Sequence, residues 1–159
     1  MSVGNAPVLA PRPHRPVPAR RLSIVLTGTA SDAHTWNLVF LQLLLEEAGH
    51  DVVNLGPCVP DEVVVASCVR RTPDLIVVSS VNGHGGTDGL RLIRVLREQR
   101  ALADVPTIIG GKLGVAGHDA VGHTGRLLRA GFDVVFADDS RAVATLRQYV
   151  GVLCPGADR

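Results

Sequence analysis

Short apolar runs alternate along this chain with longer segments in which apolar residues recur every three or four positions. The short runs predict five β-strands, at Leu22–Leu26, Asp51–Leu55, Leu75–Ser79, Val105–Ile109 and Asp133–Phe136. The longer segments predict five helices, at about residues 35–48, 60–71, 87–100, 120–130 and 140–150. Ser140 is the residue type that commonly caps a helix, and we expect it to start the last one.

Strict alternation of strand and helix predicts an α/β fold with a parallel sheet and right-handed crossovers. For five strands we expect a flavodoxin-like, doubly wound sheet in the order 2-1-3-4-5, with helices on both faces. Ligands bind such sheets at the carboxyl ends of the strands, where the strand order reverses. The loops after the first and third strands would flank that crevice, and the loop after the fourth would lie just beyond it.

Composition divides the chain into three parts. Residues 1–21 contain five prolines and four arginines but no acid, which predicts a disordered arm. Residues 22–150 form the predicted folded domain, and residues 151–159 a tail. Without the four arginines of the arm, 12 basic residues remain against 15 acidic ones, a net charge of about −3. This charge argues against nucleic acid as the principal partner, because binding phosphates needs a concentrated basic surface.

Neither a membrane nor an oxidising compartment is indicated. No apolar run approaches the roughly 18 residues of a membrane span, and the start of the chain lacks the apolar core of a signal peptide. The three cysteines, Cys58, Cys68 and Cys154, show no paired spacing, so neither a disulfide framework nor a zinc site is predicted. We therefore expect a cytoplasmic protein.

The loop after the first strand contains an Asp and a His two residues apart, Asp32 and His34. A His ring nitrogen can bind a metal, and a carboxylate on the other nitrogen would fix the tautomer and raise its basicity. We therefore expect His34 to bind a metal centre and Asp32 to orient it. The alternative is that Asp32 or Ser31 caps the following helix and that His34 is a surface residue.

Glycine and serine dominate the other two loops of this edge. Gly110 and Gly111 would let a flat or bulky group lie across the end of the sheet, while Ser79 and Ser80 would offer hydroxyls. Ordinary tight turns remain an alternative. A receiver-type phosphorylation domain is disfavoured because Ser79 stands where its Asp would be. His84, His118 and His123 are not at convincing metal spacings.

Three motifs together resemble a known family. Asp32-Ala33-His34, Ser79-Ser80-Val81 and Gly110-Gly111 are similar to the DxHxxG…SxL…GG signature of cobalamin-binding domains. More narrowly, three stretches resemble the small subunit of glutamate (methylaspartate) mutase, namely Thr29–His34, Val52–Gly56 and Val77–Ser80. The resemblance extends from about Leu22 to Tyr149. Two positions depart from the signature, because Asn37 replaces its last glycine and Val81 replaces its leucine.

The resemblance implies roles for individual residues. His34 would displace the base of the cofactor and become the lower axial ligand of cobalt, and Asp32 would hydrogen-bond its other nitrogen. The displaced nucleotide tail would enter a pocket beside the sheet, where Ser79 would contact the benzimidazole and Gly110 and Gly111 would leave room. The implied cofactor-binding residues are Ser31, Asp32, Ala33, His34, Thr35, Asn37, Ser79, Ser80, Val81, Gly83, Gly110 and Gly111.

The resemblance also implies a function. The chain would be the cobalamin-binding subunit of an isomerase that uses adenosylcobalamin for radical rearrangement of a carbon skeleton. A separate large subunit, expected to be a TIM barrel, would bind the substrate, so this chain alone would be inactive. The alternatives are a corrinoid methyl carrier, a cobalamin sensor or a flavodoxin-like electron carrier. An arm rather than a helical domain precedes the fold, which disfavours the first two.

Overall fold

The computed structural model describes residues 20–114, 119–136 and 138–154 of the chain. The strands are β1 (Ser23–Gly28), β2 (Asp51–Asn54), β3 (Leu75–Ser80), β4 (Thr107–Gly111) and β5 (Val134–Phe136). The helices are α1 (Trp36–Glu47), α2 (Asp61–Arg71), α3 (Gly85–Glu98), α4 (Asp119–Ala130) and α5 (Ala142–Leu153), with a short 3₁₀ turn at Arg100–Leu102.

All five strands are parallel and lie in the order β2-β1-β3-β4-β5, which confirms the predicted flavodoxin-like topology. The register pairs Gly28 with Ser79 and Ser79 with Gly110, so three strands end side by side. The loops that follow β1, β3 and β4 are therefore brought to one edge of the sheet, where the strand order reverses.

Each face of the sheet has its own apolar core, because successive side chains of a strand point to opposite faces. Buried residues of α2, α3 and α4 pack on one face against Val25, Ile76, Val78 and Ile109. Buried residues of α1 and α5 pack on the other face against Ile24, Leu26, Val77 and Ile108. We call these the α3 face and the α1 face.

Several predicted elements begin or end at other residues in the structure. β4 begins at Thr107 rather than Val105, since Pro106 has no N–H to donate to a neighbouring strand. Ser140 does not cap α5, and that prediction is wrong. The helix follows Arg141, whose backbone N–H donates to the Asp139 carboxylate at 2.8 Å. The same helix continues to Leu153, three residues past its predicted end.

Only the last two residues of the predicted N-terminal arm are described. Arg20 forms an ion pair with Asp74 at 3.2 Å, and Arg21 forms one with Asp51 at 3.3 Å. Both pairs are largely exposed, so they contribute little stability. No helix among the residues described is long and apolar enough to cross a bilayer.

Candidate functional site

The Asp32 carboxylate is the centre of the candidate site. The residue is 1% exposed. Its Oδ1 accepts a hydrogen bond from the backbone N–H of His34 at 3.0 Å and lies 2.7 Å from Nδ1 of the same residue. Its Oδ2 accepts from the backbone N–H groups of Val81 (2.6 Å) and Asn82 (3.3 Å) and from the Ser80 hydroxyl (3.1 Å). Asp32 therefore ties the loop after β1 to the loop after β3.

These hydrogen bonds favour the ionised form of the Asp32 carboxylate. Burial alone would raise the pKa of Asp32, but hydrogen bonds from His34, Val81 and Ser80 outweigh burial and lower this pKa below its usual value. The carboxylate is therefore ionised at neutral pH and can only accept. Nδ1 of His34 must then carry a proton in this pair, so only Nε2 is left to bind a metal.

The His34 ring is held on one side and open on the other. Its side chain is 50% exposed, whereas that of Asp32 is 1% exposed. Across the described ranges, no three His, Cys, Asp or Glu side chains gather to hold a metal ion. A single oriented imidazole is too few ligands for a protein-built metal site. It suits a metal that arrives with most of its ligands already in place, as in a macrocycle.

The capping alternative for this loop is wrong. Helix α1 starts after Thr35, and no side chain caps it. Asp32 cannot cap the helix because both of its oxygens are occupied by His34 and by the loop after β3. The Ser31 hydroxyl lies 2.5 Å from the carboxylate of Asp88, on α3.

A cavity of about 250 Å³ lies on the α1 face, between the sheet and helices α1 and α5. This volume is smaller than the roughly 300–1,000 Å³ of pockets for drug-sized ligands, and it suits one flat ring system. Most of the wall is apolar. Its lining residues are Trp36, Asn37, Phe40, Leu41, Val77, Val78, Ser79, Val81, Ile108, Ile109, Gly110, Gly111, Phe136, Asp138, Asp139, Ala142, Val143 and Leu146.

The two glycines at the end of β4 are needed for different reasons. Gly111 has φ +103°, and a Cβ there would lie 2.1 Å from the carbonyl oxygen of Ser80. Only glycine can therefore pair with β3 at this point. A Cβ on Gly110 would lie 3.1 Å from Cβ of Phe136, at the wall of the cavity. Gly110 is thus the one whose missing side chain bears directly on the space beside the sheet.

Asn37, the residue that departs from the family signature, is buried in the cavity wall. It is 6% exposed, and its Nδ2 donates to Oγ of Ser79 at 2.8 Å. Its Oδ1 is buried and has no hydrogen-bond partner among the described residues. The family signature placed Asn37 among the implied cofactor-binding residues but gave no sign of its contact with Ser79, which joins α1 to a strand 42 positions away.

A second polar network supports the loop after β1 from the α3 face. The Asp88 carboxylate accepts from Ser31 and, at 3.2 Å, from Arg91, which also pairs with Asp61 of α2 at 2.5 Å. Burial would raise the pKa of Asp88, but the hydrogen bonds from Ser31 and Arg91 lower it. The sequence analysis missed this network. Its only local signal was an acid in the first turn of α3.

Three further residues of the predicted site, Ala33, Thr35 and Gly83, do not take part in the side-chain contact between Asp32 and His34. Ala33 and Thr35 are exposed. Gly83 has φ +87°, and its backbone N–H donates to the carbonyl oxygen of Lys112, which joins the loops after β3 and β4. These residues shape the rim of the site.

The other histidines of this edge lie apart from that pair. His84 is exposed at the start of α3. His123 of α4 packs beside Gly86, and its Nδ1 is buried without a partner in the ranges described. His118 lies outside the described residues.

Comparison with known proteins shows the family to which this chain belongs. The model of the B12-binding domain matches residues 22–147. Glutamate mutase sigma subunit 2 of Haloarcula marismortui is 33% identical over 133 residues, covering 81% of this chain and 88% of that protein. The glutamate mutase sigma subunit of Escherichia coli O157:H7 is 30% identical over 118 residues, covering 74% and 78%.

Solved structures share the fold. A cobalamin-binding protein from Desulfitobacterium hafniense superposes with a TM-score of 0.66 at 21% identity. The match covers 84% of this chain and 60% of that one, so this chain spans less than two thirds of its structural neighbour.

Proposed function

Because the chain belongs to the B12-binding domain family, we propose that it is the cobalamin-binding subunit of an adenosylcobalamin-dependent mutase. The reaction would be a carbon-skeleton rearrangement of the glutamate–methylaspartate type. The observation that carries this proposal is the Asp32–His34 pair, in which a buried, ionised carboxylate presents an open imidazole.

In this proposal His34 is the lower axial ligand of the cofactor. The free Nε2 would bind cobalt, while the hydrogen bond from Nδ1 to Asp32 holds the ring and raises its basicity. The corrin would supply the equatorial ligands, so the site would not need a cluster of three or more protein ligands, and the described residues form no such cluster. When bound, adenosylcobalamin supplies a carbon-centred radical by homolysis of its cobalt–carbon bond.

The cavity on the α1 face would take the nucleotide tail that His34 displaces. It lies beside the same strand ends, and its apolar walls suit a flat aromatic base. Ser79 would hydrogen-bond the base, and the bare backbone at Gly110 would border it. The orphaned Oδ1 of Asn37 shows that this wall has unused hydrogen-bonding capacity.

The substrate would bind to a separate catalytic subunit. Relatives of this chain are named sigma subunits of glutamate mutase, a name that implies a partner. The candidate cofactor site occupies the edge of the sheet where an α/β fold usually binds its ligand. We therefore assign cofactor binding to this chain, substrate binding to a large subunit with a barrel fold, and no turnover to this chain alone.

The first test is an absorption titration of the full chain with adenosylcobalamin, followed by EPR of the Co(II) form. We expect a spectrum in which the cofactor base has left cobalt, with superhyperfine coupling to one nitrogen. Labelling histidine with the heavy nitrogen isotope should change the multiplicity of that coupling. His34→Ala should lose the coupling, and Asp32→Asn should weaken binding about 10- to 100-fold.

His84→Ala is the matched control, because His84 is an exposed loop histidine near the same edge that does not pair with Asp32. It should bind like the wild type. Unchanged affinity and coupling in both His34→Ala and Asp32→Asn would refute the axial-ligand assignment. Binding of methylcobalamin in strong preference to adenosylcobalamin would instead favour a methyl carrier.

A further inference from the structure

We propose that Asn37 and Ser79 select the lower base of the cofactor, and that this chain prefers a cobamide whose base carries an N–H or O–H donor. The inference rests on the proposed function, because it concerns the tail that would enter the cavity on the α1 face. It goes beyond the family signature, which has glycine in place of Asn37.

Asn37 and Ser79 supply hydrogen-bonding groups to the cavity wall. Nδ2 of Asn37 donates to Oγ of Ser79 at 2.8 Å, so the amide occupies an acceptor site of that hydroxyl. The hydroxyl proton of Ser79 is then available to another acceptor, since no hydrogen bond among the described residues uses it. Oδ1 of Asn37 remains as an acceptor without a partner in the described ranges. Asn37 and Ser79 both line the cavity, so its wall contains one donor and one acceptor.

Leaving Oδ1 of Asn37 unpaired has a free-energy cost. Asn37 is 6% exposed and Ser79 is 4% exposed, and the residues around them are mainly apolar. A buried polar atom without a partner is expensive, so a ligand group that pairs with it gains affinity. An asparagine with a purely structural role would normally have both ends of its amide satisfied.

The bases that could enter the cavity differ in their hydrogen-bond donors. Dimethylbenzimidazole, once released from cobalt, offers a ring nitrogen that only accepts. It could pair with the Ser79 hydroxyl but would leave Oδ1 of Asn37 unpaired. A hydroxybenzimidazole adds an O–H, and an adenine adds an exocyclic amino group, so either could satisfy both wall groups. Sites built around a polar group reject analogues that lack its partner.

The test measures affinity, so it does not depend on an active mutase. The full chain is titrated with cobamides that carry benzimidazole, hydroxybenzimidazole, dimethylbenzimidazole or adenine. The first two differ only by one hydroxyl and form a matched pair. For the wild type we expect at least one donor-bearing cobamide to bind about tenfold more tightly than the benzimidazole form, in line with the cost of one unpaired buried acceptor.

Variants separate the contribution of Asn37 from that of Ser79. Asn37→Gly restores the glycine of the signature, and Asn37→Leu fills a similar volume without an acceptor. Both should bring the affinity ratio close to one. Ser79→Ala removes the donor to the ring nitrogen, so it should weaken every cobamide while keeping a preference for donor-bearing bases. Thermal unfolding of each variant checks that the fold is intact.

The outcomes distinguish this inference from the proposed function. Equal binding of all four cobamides, or tighter binding of the bases without a donor, would overturn the inference and leave the proposed function standing. A preference that survives in Asn37→Gly would also overturn it. If the folded wild-type chain bound none of the four cobamides, the proposed function would fail and the inference with it.

Discussion

The two faces of the sheet are built from similar residues but differ in how closely the helices pack on them. On the α3 face, α3 packs so closely on the sheet that Gly89 has no room for a side chain. A Cβ at that position would lie 2.7 Å from Cδ1 of Ile109. On the α1 face, a cavity of about 250 Å³ remains between α1, α5 and the strands.

Two buried polar side chains, one on each face, differ in how completely they are hydrogen-bonded. On the α3 face, the Asp88 carboxylate has both oxygens occupied, by Ser31 and Arg91. On the α1 face, Asn37 has one amide atom bonded and the other without a partner among the described residues. A protein interior is normally close-packed, and its polar groups are normally paired. The α1 face, which combines the cavity beside the sheet with the unpaired Oδ1 of Asn37, is the face on which we place the ligand.

The largest expected difference comes from adding the same bulk to each face. Val64→Phe places extra atoms in the α3 face at a residue that is 0% exposed, and should cost about 1–3 kcal/mol of unfolding free energy. Val143→Phe places them at the cavity, where there is room, and should change stability by less. Chemical denaturation of the two variants measures the contrast.

The same pair of variants tests the use of the cavity. Val143→Phe should weaken cobalamin binding by blocking the space for the tail, although its fold stays intact. Val64→Phe should retain wild-type affinity in the fraction that is folded. Wild-type cobalamin affinity in Val143→Phe would contradict the assignment of the cavity to the tail.

A smaller effect should follow from disrupting the saturated polar network. Asp88→Asn replaces an acceptor-only group by an amide that cannot serve both Ser31 and Arg91 in the same way, and should cost about 1–2 kcal/mol at pH 7. Asp104→Asn, at an exposed acid, is the control and should be nearly neutral. Comparable losses of unfolding free energy in the two variants would deny the network a special role.

The network also predicts a pH dependence. The pKa of Asp88 is lower in the folded chain than the ordinary value of about 3.9, so the unfolded chain binds more protons as the pH falls. Its contribution to stability is present above about pH 4 and is lost as the pH falls through the folded pKa. Unfolding free energies measured from pH 6 downwards should therefore decline more steeply in the wild type than in Asp88→Asn.

The smallest expected effect comes from a single methyl group. Gly89→Ala would gain helix propensity but force Ile109 to move, so we expect a net loss of about 1 kcal/mol. Gly151→Ala, on α5, meets no atom within 4 Å and should gain up to about 1 kcal/mol. Thermal unfolding should give shifts of opposite sign. A gain in both variants would show that the α3 face has spare room.

Local pattern was enough for the parts of this protein that depend on neighbours in sequence. Alternating strand and helix segments indicated the order of the sheet, since each βαβ unit is right-handed and places the next strand predictably. The spacing of Asp32 and His34 indicated their pairing, because two residues apart in one loop can meet without help from the rest of the chain. The glycines at the end of β4 were likewise visible, although only the structure shows that Gly111 is required for backbone pairing with β3.

Contacts between distant segments were decided only by the tertiary structure. Asp88 lies 57 positions from Ser31, and Ser79 lies 42 positions from Asn37, so no spacing rule links either pair. The cavity is the space left when α1 and α5 settle on one face of the sheet, and a volume left between elements has no sequence signal of its own. The sequence thus determined which loop holds the Asp32–His34 pair, while packing determined the cavity on the α1 face and the hydrogen-bonding groups in its wall.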